Sequence, residues 1–184
     1  MQLLPANTPL IFTDGTAFFK RLAKNYIQHK QGFFILAPSG VGKTHYINSQ
    51  KKNDWIDGDV LWTWGNAHPD GPWWLMETED TNLIDQNSDA ITAHAKKNGF
   101  WVMGASNFWL KPDAIVLPHW STHKKYIRYR ETHNYDGGAT SDRLDSLLGQ
   151  RRRFRRYVKK GVPQFTSVAD AVEYLVSTLK HKNK

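Results

Sequence analysis

Short apolar runs alternate with longer amphipathic segments along the chain, a pattern typical of strands alternating with helices. The runs predict strands at 33–37, 55–59, 100–105, 114–117 and 162–165. The predicted helices cover about 14–29, a short segment from residue 43, and 87–98, 119–132, 142–158 and 168–179. Nearly unbroken apolar strands are typical of a parallel sheet that is covered on both faces. We therefore expect an α/β fold with a parallel sheet of about five strands, flanked by helices.

The segment from residue 60 to about 85 has no clean periodicity and is rich in tryptophan. It contains four of the eight tryptophans of the chain: Trp62, Trp64, Trp73 and Trp74. Long irregular segments in compact domains are often functional. The rings can provide stacking surfaces for a base, or they can pack together as a small satellite core, and the sequence leaves both interpretations open.

A glycine-containing turn follows the first apolar run. Residues 37–44 read Ala-Pro-Ser-Gly-Val-Gly-Lys-Thr, the phosphate-binding loop pattern with Ala37 in place of its first glycine. Gly40 and Gly42 allow backbone N–H groups to turn inward toward a phosphate chain. In this pattern we expect Lys43 to supply positive charge near the β- and γ-phosphates, and the Thr44 hydroxyl can ligate Mg²⁺. The predicted nucleotide-binding residues are Pro38, Ser39, Gly40, Val41, Gly42, Lys43, Thr44 and His45.

Two acidic residues, Asp57 and Asp59, close the second predicted strand. Because they lie two residues apart on a strand end, their side chains can share one face. One of the two carboxylates can hold a Mg²⁺-bound water while the other orients an acceptor hydroxyl or accepts its proton. An Asp-Gly-Asp triplet is also a favourable turn, and this alternative stays open.

The phosphate loop followed by Asp-Gly-Asp resembles the small P-loop kinases of the nucleoside-monophosphate-kinase-like group, over about Gly32 to Leu179. The triplet looks like the corresponding segments of adenylylsulfate kinase and gluconate kinase. Polynucleotide kinases and zeta-toxin-like kinases also have an acidic residue there. The resemblance implies a three-layer P-loop kinase fold in a single domain over 1–184, with an acceptor-binding insert at about 60–98 and a lid at about 128–156.

One segment departs from that group. Gly104-Ala105-Ser106-Asn107 follows the third strand, where many nucleoside monophosphate kinases have Asp-Gly-Phe-Pro-Arg. The metal role that the resemblance implies therefore depends more heavily on Asp57, together with Thr44. We then expect Asp59 to orient or deprotonate the acceptor hydroxyl.

The predicted helix at 142–158 is rich in arginine. It carries Arg143, Arg151, Arg152, Arg153, Arg155 and Arg156. These side chains can form a lid over the γ-phosphate, a track for nucleic-acid phosphates or a solvated face. A helix presents only part of its circumference to one ligand. We therefore assign Arg143 and Arg151 or Arg152 to the lid.

Composition narrows the class of protein. The formal net charge is +8, from 25 Lys plus Arg against 17 Asp plus Glu, which suits a polyanionic partner. The absence of cysteine excludes disulfides and thiolate metal sites. No apolar stretch approaches the roughly 20 residues that span a bilayer, and no signal-peptide pattern is present. We expect a soluble, cytoplasmic protein.

Three functions remain in view. The first is an ATP- and Mg²⁺-dependent kinase that moves the γ-phosphate to a nucleotide or nucleoside-like acceptor. The second keeps this chemistry but acts on a nucleic acid, at a polynucleotide end or at a hydroxylated base in DNA. The third, of a different class, is a nucleotide-dependent binding module without transfer activity.

Overall fold

The computed structural model describes residues 18–67, 78–133 and 138–182, and within them it contains five strands and seven helices. The strands are β1 Phe33–Leu36, β2 Trp55–Asp57, β3 Trp101–Gly104, β4 Ala114–Val116 and β5 Gln164–Phe165. They form one parallel sheet in the order β2-β3-β1-β4-β5. The predicted α/β fold, with helices flanking a parallel five-stranded sheet, is confirmed.

Of the helices in the described residues, one precedes the strands, five lie between strands in sequence and one follows the last strand. They are α1 Phe18–Asn25, α2 Lys43–Ser49, α3 Gly58–Trp64, α4 Thr78–Lys97, α5 Trp120–Thr132, α6 Leu144–Val158 and α7 Val168–Lys182. None of these described helices combines the length and the apolar character needed to cross a bilayer.

The chain divides into two compact units, and each is discontinuous in sequence. The first unit contains the described residues up to Phe34 and those between Ser49 and Lys111. The second contains Ile35–Asn48 and the described residues from Pro112 onward. Strand β1 therefore contributes its first half to one unit and its second half to the other.

In the first unit, the side chain of Trp62 is part of the core. It is fully buried, and its Nε1–H donates a hydrogen bond to Thr92 Oγ1 at 3.0 Å. Two glycines leave room for the ring, since a Cβ at Gly104 would lie 2.4 Å from it and one at Gly58 2.8 Å. Residues after 60 were expected to be irregular, but those up to Trp64 belong to helix α3. Of the two roles considered for the tryptophans, Trp62 has the packing role. Trp73 and Trp74 lie outside the described residues.

Two predicted helix boundaries were wrong. Helix α1 ends at Asn25 rather than at about His29, because backbone groups beyond it pair elsewhere: Ile27 N–H donates to Asn53 O at 3.0 Å. Helix α4 begins at Thr78, well before the expected residue 87. It ends at Lys97, one residue before the predicted end. Gly99 follows with a φ of +82°, the left-handed conformation that is common after a helix.

In the second unit, β5 lies beside β4 at an edge of the sheet, a position that tolerates the preceding Pro163. Ser167 caps the next helix, α7, since Asp170 N–H donates to Ser167 Oγ at 3.1 Å. A single 3-10 turn, Ser141–Arg143, precedes α6.

Candidate nucleotide-binding site

The phosphate loop in the second unit has the backbone conformation that its sequence predicts. Gly40 has a φ of +82° and Gly42 a φ of +97°, values that strain any residue with a side chain. No described atom lies within 4 Å of a Cβ built at Gly42, so the backbone there borders open space. An anion can therefore approach the loop backbone closely at this position.

Lys43 begins α2 and turns back over the loop. Its ammonium donates to Ala37 O and to Pro38 O, both at 3.1 Å, and the residue is 8% exposed. Carbonyl oxygens are neutral acceptors, whereas a phosphate oxygen forms a stronger, charge-assisted bond with the same ammonium. Thr44 follows on the same helix and is exposed. The loop residues thus fit a bound phosphate chain, and the Thr44 hydroxyl has the chemistry of a Mg²⁺ ligand.

Helix α5 forms one wall of the phosphate loop, and this contact between helix and loop was not predicted from the sequence. A Cβ built at Gly40 would lie 3.2 Å from Ile127 Cγ1, 3.5 Å from His123 Nε2 and 3.7 Å from Arg130 Nη1. These residues are spaced i, i+4 and i+7 on α5, which places them on one helix face. The guanidinium of Arg130 is therefore a positive charge beside the loop, in addition to Lys43.

His123 joins this wall to the loop backbone. Its Nε2 lies 2.8 Å from Ser39 O, and its Nδ1 lies 2.9 Å from Arg151 Nη1. Because a guanidinium can only donate, Nδ1 accepts and the Nε2–H donates to Ser39 O. The pKa of His123 is lowered to about 4, mainly by burial; the hydrogen bond to Ser39 opposes the shift, and the charges of Arg151 and Lys43 add to it. The imidazole is therefore neutral at pH 7.

Arg151, one of the predicted lid residues, is buried at 3% exposure. Besides His123, it donates through Nη2 to Pro118 O at 2.7 Å, and its guanidinium lies 5.4 Å from the centre of the Trp120 ring. These contacts make Arg151 a positioning residue for the loop. Arg143 and Arg152 are exposed, and contact of any of these three arginines with a γ-phosphate stays a prediction.

The predicted lid region also reaches the loop at Gly138. Ser39 Oγ accepts a hydrogen bond from Ala139 N–H at 3.0 Å. Gly138 has a φ of +84°, and a Cβ there would lie 2.5 Å from Ser39 Oγ and 3.1 Å from Arg130 Nη1. Glycine is thus required at Gly138 by both its conformation and the close approach of Ser39.

The acid pair belongs to the first unit, and its local structure differs from the expectation. The strand ends at Asp57, and Asp59 lies in the first turn of α3 rather than on a strand end. Asp57 caps this helix, since its Oδ1 accepts from Asp59 N–H at 3.2 Å. The turn interpretation therefore describes one role of Asp57, while the metal role of Asp57 and the hydroxyl-orienting role of Asp59 stay predictions.

Helix α4 holds the loop that follows β3 through two pairs of side chains. Ser106 Oγ donates to Asp85 Oδ1, and Asn107 Nδ2 donates to Asp89 Oδ1 at 3.0 Å. All four side chains are buried. Ser106 and Asn107 are therefore each held to α4 by a hydrogen bond to a carboxylate.

Asp89 is the main anchor of this loop and was not recognised in the sequence. One carboxylate oxygen accepts from three successive backbone N–H groups, including Phe108 at 2.9 Å and Leu110 at 2.7 Å, with Trp109 between them. Burial raises the pKa of Asp89, and these hydrogen bonds oppose the shift. The carboxylate thus satisfies donors that the loop itself cannot pair.

Replacing Asp89 by Asn is expected to lower the free energy of unfolding by about 2–4 kcal/mol. An amide oxygen can replace only one carboxylate oxygen, and the amide NH₂ would face a donor. Urea unfolding at pH 7 measures the change. Asp80→Asn, on the exposed face of the same helix, removes the same charge and should change stability by less than about 0.5 kcal/mol. Equal stability of both variants would contradict the anchor role.

His123 is expected to make the stability of the fold depend on pH. Between pH 6.5 and about 4 the unfolded chain binds a proton that the folded imidazole does not. The free energy of unfolding should therefore fall as the pH drops through this window. The fall should be about 3 kcal/mol, because each unit of pKa difference between the folded and unfolded chain corresponds to about 1.4 kcal/mol. His123→Gln keeps a donor and an acceptor but does not titrate, so its unfolding free energy should lack this fall. His45→Gln, at an exposed position, should retain it.

Among the residues that the structure describes, no three His, Asp or Glu side chains are grouped to hold a metal ion. Comparisons of the chain with family models, with curated proteins and with solved structures found no match. The basis for a functional assignment is therefore the chemistry of the residues themselves, above all the phosphate loop with its α5 wall.

Proposed function

We propose that this protein is an ATP- and Mg²⁺-dependent phosphotransferase that moves the γ-phosphate to a hydroxyl of a nucleotide or nucleoside-like acceptor. The observation that supports the proposal most is the phosphate loop: Gly40 and Gly42 in left-handed conformations, with Lys43 folded over the loop carbonyls. Such a loop suits a chain of phosphates, because its backbone N–H groups and the Lys43 ammonium can together bond several phosphate oxygens.

In the proposed reaction the acceptor oxygen forms a bond to the γ-phosphorus, and the bond between that phosphorus and the β–γ bridging oxygen breaks. The electron pair leaves with ADP, and the acceptor proton passes to the Asp59 carboxylate. Lys43 and Arg130, both beside the loop, supply positive charge toward the transferring phosphoryl group. Mg²⁺, with Thr44 and Asp57 as the predicted oxygen ligands, would neutralise charge on the β- and γ-phosphates.

A transfer screen tests the proposal. The chain is incubated with Mg²⁺ and ATP labelled in the γ-phosphate, and with nucleosides, nucleotides and short oligonucleotides in turn. We expect label on one acceptor class, with one ADP formed for each phosphate transferred. ATP binding without transfer to any acceptor would favour the non-catalytic binding module. An absence of ATP binding would contradict both.

A further inference from the structure

The outward side of α6 and the turn after it carry a dense set of cations, which we call the basic face. Its six members fall within nine residues and are all exposed: Arg152, Arg153, Arg155, Arg156, Lys159 and Lys160. The sequence contains no Asp or Glu between Asp145 and Asp170. The positive charge of this surface is therefore not balanced by acidic residues on its own segment.

The charge density of the basic face is close to that of a nucleic acid. At about 1.5 Å of rise per residue, the segment is roughly 12 Å long and carries one positive charge per about 2 Å. A DNA duplex carries one negative charge per about 1.7 Å of its axis and each of its strands one per about 3.4 Å, so the density of the basic face lies between the two. Several of these cations are spaced i, i+3 or i, i+4, such as Arg152 with Arg156, and like charges at those spacings destabilise a helix. A polyanion bound along the face would relieve this repulsion.

Two simpler explanations account for less of the pattern. Cations near a helix C-terminus interact favourably with the helix dipole, but the effect is confined to the last turn. Arg152 and Arg153 lie before that turn, since α6 ends at Val158. A membrane surface is also a poor fit, because the apolar residues of α6, such as Phe154 and Tyr157, are buried in the protein and cannot insert into a bilayer.

We propose that the basic face binds the phosphate backbone of a nucleic-acid strand. Guanidinium groups match the geometry of phosphate oxygens, and a row of cations can follow regularly spaced phosphates. The net charge of +8 adds a longer-range attraction for the same partner. Such binding needs no ATP.

Binding of a fluorescein-labelled single-stranded DNA of about 20 nucleotides, measured by anisotropy without ATP at several salt concentrations, tests this proposal. The variant Arg153→Gln/Arg156→Gln/Lys160→Gln is compared with wild type. Its slope of log K against log salt should be less steep by about 2, because each phosphate that the protein neutralises adds about 0.7 to the slope. Its affinity at about 100 mM salt should fall roughly tenfold or more.

The matched control Lys24→Gln/Lys51→Gln/Lys52→Gln removes the same charge at exposed positions of the first unit. Its affinity should stay within about twofold of wild type. Equal weakening in the two triple variants would show that only net charge matters and would overturn the proposal. Failure of the wild type to bind the strand would do the same.

Two further measurements complete the test. Vesicles of phosphatidylserine should compete poorly with the strand; tighter binding to vesicles, abolished in the same variant, would assign the basic face to lipid and overturn the proposal. Lys43→Ala should keep strand binding while losing ATP binding. The strand-binding proposal and the phosphotransfer proposal can therefore fail independently of each other. Should the triple variant not fold, Arg153→Gln/Lys160→Gln should change the slope by about 1.4.

Discussion

Replacing Lys43 by Ala is expected to abolish γ-phosphate transfer while leaving the chain folded. The ammonium donates to the carbonyls of Ala37 and Pro38, so its removal takes no apolar side chain from the core. Loss of a charge aimed at the transferring group should lower the rate by about three orders of magnitude or more. The rate of label transfer and the ATP dissociation constant measure the effect, and circular dichroism reports the fold.

The control for this change is Lys51→Ala, which removes an exposed lysine in the turn after α2. It should transfer phosphate at the wild-type rate. Full activity in a correctly folded Lys43→Ala protein would remove the phosphate loop from the mechanism.

Substitutions of the acid pair are expected to have separate kinetic effects. Asp59→Asn should lower kcat by about two to four orders of magnitude, the range for loss of a general base. Asp57→Asn should chiefly raise the Mg²⁺ concentration required for half-maximal rate. Asn is as good a helix cap as Asp, so the start of α3 should survive this change. Initial rates over a range of Mg²⁺ concentrations distinguish the two outcomes.

Asp145→Asn provides the matched control for Asp59→Asn. Asp145 is also an exposed acid in the first helical turn, in this case of α6, so its loss has the same effect on the helix dipole. It should leave kcat unchanged. Wild-type kinetics in both Asp57→Asn and Asp59→Asn would leave helix capping as the role of the triplet.

The sheet could be predicted because its strands are apolar runs in the sequence. Strands β1, β3 and β4 fall inside their predicted ranges, since each is buried along its whole length. Helix α3 was missed because its large residues, Trp62 and Trp64, do not form a regular amphipathic pattern with their polar neighbours. Trp62 fits the core only because Gly58 and Gly104 make room for it, and Gly104 is on a different element.

In the candidate site, likewise, contacts between residues close in sequence could be predicted, and contacts between distant residues could not. The phosphate loop is built from contacts over a few residues, such as Lys43 with Ala37, and could be predicted. The link from Arg151 to His123 spans 28 residues, and that from His123 to Ser39 spans 84. No periodicity in the sequence reports such pairings. Asp89 was missed for the same reason, because its partners at 107–110 lie on another segment.

The hydrogen bonds from Arg151 through His123 to Ser39 connect the phosphate loop to the helix that carries the basic face. A ligand that shifts Ser39 must move His123 with it or break the hydrogen bond between them, and Arg151 immediately precedes Arg152 and Arg153 on α6. Should both proposed ligands bind, this connection would let each of them change the affinity for the other. Thermodynamic linkage requires the two changes in affinity to be the same factor.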